Sequence, residues 1–252
     1  MPETQVELRA ADGSALRGTW RQPEGLGPWP SVACIHGLTL TRAIFDDAAA
    51  VLAGQGVASL RLDLRGHGQS GGELKEQGFD DQVADVRTAF QGLATLPGAD
   101  PERRGLLGFS MGGAMGALLA QSDAGVKALA IWSPLLRTGF WDAERRQQYG
   151  DPAEGYQAIW DGILVNRRLF IEALDLDPFE AALAYPGPFF VCHGGKDRNH
   201  PQANSVALAA GRQAAGRPVA SYFPPMSGHR YHHGAERGTR DALSAAFFKA
   251  SL

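Results

Sequence analysis

Short apolar runs alternate with stretches of helical period along most of this chain. Residues 31–35, 57–64, 126–132, 188–192 and 219–223 are rich in Val, Ile, Leu, Ala and Phe and are bounded by Gly, Pro or Ser, as buried strands are. Between them, residues 43–54 carry Ile44, Phe45, Ala48, Val51 and Leu52 at helical spacing. Residues 78–96 carry Phe79, Val83, Val86 and Phe90 three or four apart, with Asp80 and Asp81 in the first turn, where a helix dipole favours negative charge. Residues 203–215 and 239–250 complete the helical set. At the start of the chain, residues 6–9 and 15–20 flank Asp12-Gly13, a tight-hairpin signal that predicts an antiparallel pair. Strands alternating with helices over this length predict a mostly parallel sheet covered on both faces, an α/β architecture.

Residues 135–185 break that rhythm. Charges and aromatics mix there (Arg137, Phe140, Trp141, Arg145, Arg146, Tyr149, Tyr156, Trp160, Arg167, Arg168, Phe170), with helical periodicity and no predicted strand.

The pattern is sharpest at Leu106-Leu107-Gly108-Phe109-Ser110-Met111-Gly112-Gly113. A brief apolar run leads in, and residues 113–120 are almost wholly small and apolar, so the segment reads as strand, sharp turn and helix with Ser110 at the turn. Gly-x-Ser-x-Gly in that setting is a nucleophile elbow: a strained backbone lifts the serine hydroxyl clear of the sheet. Small residues two before and two after allow strand and helix to approach closely. The helix that follows aims N–H groups and its positive end at any negative charge that develops. A Gly-Ser-Gly turn without chemistry is the plainer alternative, and the flanking strand and helix weigh against it.

A serine hydroxyl is a weak nucleophile at neutral pH and needs a base, which in turn needs an orienting acid. Polar residues His36, Asp63, Ser110, Asp197 and His229 all fall at carboxyl ends of predicted strands, where open α/β sheets place their sites. In elbow folds the chain order is serine, acid, histidine, which selects Asp197 and His229. Asp161, Asp175, Asp177 and Glu180 lie in the 135–185 segment rather than at strand ends. His229 competes with His232 and His233 nearby, His232 being the fallback, while His193 and His200 flank Asp197. The histidines alone would also suit a solvated loop or a metal, but no Cys or carboxylate set at ligand spacing accompanies them. Two donors are required for a developing oxyanion. The backbone N–H of Met111 supplies one, and the loop after residues 31–35 makes the N–H of Leu38 the other.

The chain has 252 residues, enough for one large core, and a formal net charge of −3, with no basic stripe to favour nucleic acid. Residues 1–8 lack a positive region followed by an apolar stretch, and no run approaches the ~20 apolar residues of a membrane helix. A soluble cytoplasmic protein, without nucleic-acid or membrane partners, is the expectation.

Five motifs in order now carry a resemblance: His36-Gly37; Asp63-Leu64-Arg65-Gly66-His67-Gly68-Gln69-Ser70; Gly108-Phe109-Ser110-Met111-Gly112-Gly113; His193-Gly194-Gly195-Lys196-Asp197; and Gly228-His229. The chain resembles the α/β-hydrolase superfamily nearly end to end, and within it the compact esterases and the monoacylglycerol-lipase or serine-aminopeptidase-like set, cinnamoyl and feruloyl esterases included. The resemblance implies an eight-stranded, mostly parallel twisted sheet with helices on both faces. Residues 1–134 and 186–252 would form the core and residues 135–185 a small helical cap, with Phe140, Trp141 and Trp160 as pocket candidates. It makes Asp63 and His67 scaffold and has His36 orient the oxyanion loop. Its strand order separates Cys34 from Cys192 by two strands, roughly 14 Å at about 4.8 Å per strand, too far for a disulfide. The implied activity is hydrolysis of carboxylic esters of small or medium acyl or aromatic acids through a Ser110-His229-Asp197 triad and an acyl-enzyme, with no cofactor and no metal. A peptidase or thioesterase on the same triad is the alternative, and a catalytically silent binding protein is the alternative of another class.

Overall fold

The computed structural model describes residues 2–137, 155–159 and 162–252. The antiparallel pair β1 (Glu3–Arg9) and β2 (Ala15–Arg21) folds about Asp12-Gly13. Then come β3 (Trp29–Ile35), α1 (Asp46–Gly54), β4 (Ala58–Leu62), α2 (Phe79–Gly92), β5 (Ala99–Phe109), α3 (Met111–Ser122) and β6 (Ala128–Trp132). After β6 lie β7 (Tyr156–Ala158), β8 (Leu164–Asn166), α4 (Arg168–Leu174) and α5 (Pro178–Ala184). The chain closes with β9 (Phe189–Cys192), α6 (Gln202–Ala214), β10 (Ala220–Tyr222) and α7 (Gly234–Ser251). The main sheet has eight strands in the order β1-β2-β4-β3-β5-β6-β9-β10. It is parallel from β4 onward and antiparallel at β1, β2 and their junction with β4.

Period-two alternation along the central strands divides the core in two. Val32 and Cys34 of β3, Leu107 and Phe109 of β5, Ala128, Ala130 and Trp132 of β6, and Phe190 and Cys192 of β9 share one face with Phe45, Leu52 and Phe248, so α1 and α7 cover it. The intervening residues Ala33, Ile35, Leu106, Leu129, Ile131, Phe189 and Val191 meet α2, α3, α4, α5 and α6 on the other face. Each fully buried Leu, Ile or Phe contributes about 1.5–3 kcal/mol relative to exposure. Helix α3 is apolar or small nearly all round because it is buried nearly all round.

Two elements depart from the sequence pattern. Residues 135–185, read as helical without strands, contain the β7–β8 ribbon as well as two short helices. Three-residue strands are too short to display an alternation, and the ribbon is closed by backbone bonds from Ile159 N–H to Ile163 O and from Gly162 N–H to Ile159 O. Helix α7 starts at Gly234, five residues before the predicted start, because its early Glu236 is fixed from outside the helix. That carboxylate accepts from Met226 N–H at 3.0 Å and from the Ser227 hydroxyl at 2.6 Å. Cys34 and Cys192 are buried, free, and separated in the sheet by β5 and β6.

Candidate active site

The central strand β5 ends at Phe109, and the chain turns at Ser110 into α3 with φ +55° and ψ −119°. A non-glycine residue in that region is strained by about 1–3 kcal/mol and persists only where its surroundings over-determine it. Here Ser110 N–H donates to Trp132 O at 2.9 Å, and Ser110 O accepts from Gly113 N–H at 3.0 Å and Leu135 N–H at 3.1 Å. Neighbouring glycines permit the turn. A Cβ on Gly108 would collide with the Gly112 carbonyl, and one on Gly112 with the Ile35 carbonyl of β3. The hydroxyl therefore stands at the carboxyl edge of the sheet, between β3 and β6.

His229 lies on the loop after β10 and packs its ring against Phe109 at 5.0 Å between centroids. Its Nε2 is 3.1 Å from Ser110 Oγ, and its Nδ1 is 2.8 Å from Asp197 Oδ2. Asp197, on the loop after β9, has a fully buried side chain. Burial opposes its charge, but hydrogen bonds from His193 and His229 and the N–H of His200 outweigh that and hold the carboxyl well below the usual carboxylate range. An ionised carboxylate only accepts, so His229 carries its proton on Nδ1, and Nε2 is left to accept from the Ser110 hydroxyl. The alternatives at residues 232 and 233 are exposed and stand away from this chain of bonds, His233 capping α7. The loop that carries His229 is pinned by Glu236 and by the buried Tyr231, whose hydroxyl oxygen accepts from Ser133 at 3.1 Å.

Two further imidazoles belong to the site, His193 and His200, which the sequence set beside Asp197 without giving either a role. His193 Nε2 donates to Asp197 Oδ2 at 3.1 Å and to His200 O at 3.2 Å, while its Nδ1 accepts from the Ser205 hydroxyl at 2.7 Å. His200 Nε2 lies 3.4 Å from Ser110 Oγ, and its ring meets His229 edge-on at 5.1 Å. The available signal was the spacing: each histidine sits three or four positions from an acid at a strand end.

The loop after β3 closes against the same serine. A Cβ on Gly37 would lie 2.9 Å from Ser110 Cβ, so Leu38 follows directly on a segment in contact with the elbow. Thr39, at φ +61°, spends its N–H on His67 Nε2 at 3.2 Å. His67 is fixed through Arg65 O at 3.0 Å, and His36 accepts from Leu64 N–H at 3.1 Å. Burial, and the proximity of His67, lower His36 to about 3, so it is a neutral ring that donates Nδ1–H to Gly37 O at 2.8 Å and accepts at Nε2. Asp63 holds Arg42 N–H at 2.7 Å and Gln69 N–H at 3.0 Å, which makes it part of the loop scaffold. Met111 opens α3 directly after Ser110.

A cavity of about 530 Å³ adjoins these groups, lined among the described residues by Asp197 and His200 together with Leu135, Leu136, Arg137 and Arg198. That volume is in the range that holds a small organic ligand. The pocket candidates Phe140, Trp141 and Trp160 lie outside the described residues, as do Tyr149, Arg145, Arg146, Glu154 and Asp161. Phe170 is buried in the core. Arg168 is bound to Glu172 at 2.7 Å and to Asp81 at 3.3 Å, and Glu172 also accepts from Asp80 N–H, so this pair fastens α4 to α2. Among the described residues no group of three His, Cys, Asp or Glu is placed to hold a metal ion, and no helix is long and apolar enough to cross a membrane.

Residues 28–148 match the serine aminopeptidase family, S33. The polyketide transferase ATR5 of Stachybotrys chlorohalonatus is 32% identical over 136 residues, 53% of this chain and 45% of the transferase. The thiohydrolase aneE of Aspergillus aculeatus is 32% identical over 139 residues, 54% of this chain and 43% of its own length. These matches thus span less than half the length of either relative. Among solved structures, Est1E of Butyrivibrio proteoclasticus with ferulic acid bound superposes with a TM-score of 0.81, over 97% of this chain and 99% of that one, at 20% identity. At that identity the likeness is one of fold.

Proposed function

We propose that this chain, which has the α/β-hydrolase fold and matches the serine aminopeptidase family S33 over residues 28–148, is a serine hydrolase that cleaves carboxylic esters of small or medium acyl or aromatic acids through an acyl-enzyme. Ser110 is the nucleophile, His229 the general base and then acid, and Asp197 the residue that fixes the imidazole. The backbone N–H groups of Leu38 and Met111 form the oxyanion hole. The observation that carries this reading is the unbroken run of hydrogen bonds from Ser110 Oγ to His229 at 3.1 Å and on to Asp197 at 2.8 Å. It is supported by the elbow strain, which is maintained by contacts to β6 and residue 135.

In the first step Ser110 Oγ bonds to the acyl carbon as its proton passes to His229 Nε2. The charge that appears on the former carbonyl oxygen falls to the two N–H groups. Collapse expels the alcohol, which takes the proton from His229. Water then repeats the sequence on the acyl-enzyme and releases the acid. All these groups fall within residues 1–134 and 186–252 of the chain.

Thioesters are the second reading, favoured by the similarity to a thiohydrolase. They use the same steps with a thiolate leaving group. An aminopeptidase reading needs a carboxylate to hold the substrate amine; of the candidates Glu154, Asp161 and Glu172, the first two lie outside the described residues and Glu172 is engaged with Arg168.

The test is to react the protein with a fluorophosphonate probe and to assay p-nitrophenyl esters from acetate to palmitate, beside matched thioesters, with Ser110→Ala as control. Labelling that Ser110→Ala abolishes, with turnover best on short acyl chains, supports the ester reading. Labelling with turnover of thioesters alone moves the substrate class to the second reading. A wild-type protein that is not labelled overturns both and leaves a binding protein.

A further inference from the structure

The oxygen of Ser110 has one proton and two imidazoles within reach. That proton goes to His229, because the Nδ1 of His229 is committed to Asp197 and only its Nε2 is free to accept. A second ring nitrogen 3.4 Å from the same oxygen can then be bound only by donating to it, so His200 presents Nε2–H to a lone pair of Ser110 Oγ. The ring is not a loose surface group. Its backbone N–H donates to Asp197 Oδ1 at 3.1 Å, its carbonyl accepts from His193 at 3.2 Å, and Pro201 follows at the cap of α6. The loop that aims the acid therefore aims this histidine as well. His200 also lines the adjoining cavity.

We infer that His200 is a further catalytic residue, whose Nε2–H donates to the Ser110 oxygen and assists its departure from the acyl-enzyme. The inference rests on the serine-hydrolase reading above. In deacylation water bonds its oxygen to the acyl carbon and gives a proton to His229 Nε2. The carbon–Oγ bond then breaks, the electron pair stays on Oγ, and His229 returns the proton there. His200 transfers no proton; its N–H stabilises the charge that gathers on Oγ as the bond lengthens. In acylation the same donor works in two directions. It steadies the nascent alkoxide but also makes it a weaker nucleophile, so the two effects largely offset each other. The asymmetry between the steps separates this role from mere packing.

The ring is in the state this requires. Burial, then the neighbouring charge of His229, lower His200 to about 4, so it is neutral across the working range and keeps one ring nitrogen protonated and one bare.

The experiment is stopped-flow hydrolysis of p-nitrophenyl acetate by the wild type and by His200→Phe, His200→Ala and His200→Gln, each also labelled with a fluorophosphonate. Phe keeps a ring without a donor, Ala leaves no side chain to strain the loop, and Gln returns an N–H near the position of Nε2. The expected result is a deacylation constant lower by about tenfold in the Phe and Ala variants, an acylation constant within about threefold, and near wild-type behaviour for Gln. Equal loss in both steps overturns the inference. So does no change in either, Gln behaving as Phe does, or loss of labelling in all three variants. A wild type that the probe does not label identifies failure of the serine-hydrolase reading itself, and is distinct from each of these.

Discussion

His193 Nε2 lies 3.1 Å from Asp197 Oδ2, the same oxygen that receives His229 at 2.8 Å. The acid is thus shared between two imidazoles, one fully buried and fixed by Ser205, the other reaching toward Ser110. Four donors converge on this carboxylate, with the N–H groups of Asn199 and His200 on its second oxygen. No Arg or Lys pairs with it among the described residues, so its orientation depends on hydrogen bonds alone.

Removing His193 should therefore be felt at the chemistry. In His193→Ala, kcat should fall about tenfold with KM little changed, since this ring is fully buried and does not line the cavity. With one donor gone, Asp197 draws harder on the remaining imidazole, and the acid limb of the rate profile should move to higher pH. A pH series of kcat/KM on both proteins checks it. An unshifted limb with a lower rate would reduce His193 to packing.

The loop beside the elbow depends on His67. Its Nε2 holds the N–H of Thr39, at a strained φ of +61°, and so sets the residue before it, Leu38. Losing that acceptor leaves a half-buried N–H unpaired and releases the turn. His67→Ala should slow fluorophosphonate labelling of Ser110 by about tenfold while the circular dichroism spectrum stays the same. Labelling at the wild-type rate would mean that the loop holds its shape without this bond.

Both thiols should be silent in the folded protein. Burial pushes Cys34 up to about 12 and Cys192 likewise to about 12, and the thiolate is the reactive form. Ellman's reagent at pH 8 should find no rapidly reacting thiol in the native state and both Cys34 and Cys192 in guanidinium chloride. Reducing agent should leave Tm unchanged.

Acid should destabilise the fold through its buried neutral histidines. His36 binds a proton only near pH 3 when folded, against about 6.5 in the unfolded chain. The unfolded state therefore holds more protons below pH 6.5. Stability from this site is complete above that value and is lost as pH falls toward 3, by about 2 kcal/mol between pH 6.5 and 5. His200, lowered to about 4, acts in the same direction. Urea unfolding at pH 7 and pH 5 should show a smaller difference for His36→Asn than for the wild type. Equal differences would place the acid sensitivity elsewhere.

Local requirements were legible in the sequence because a few adjacent residues impose them. The bend at Ser110 needs Gly108 and Gly112 beside it and an apolar run on either side, and all of that lies within one short stretch. The strands of the two-faced core declare themselves by composition, and Asp12-Gly13 declares the first hairpin. Chain order then nominated Asp197 and His229, which do meet Ser110 in space. What the tertiary structure decided is non-local. His200 lies 90 positions from Ser110 and reaches it only because β5 and β9 stand two places apart in the sheet with their carboxyl ends on the same edge. The bond from Thr39 to His67 joins the loops after β3 and β4 in the same way. Such contacts leave no period or spacing in the sequence. They arise from the order in which strands pair, and that order is set by packing across the whole sheet rather than by neighbours along the chain.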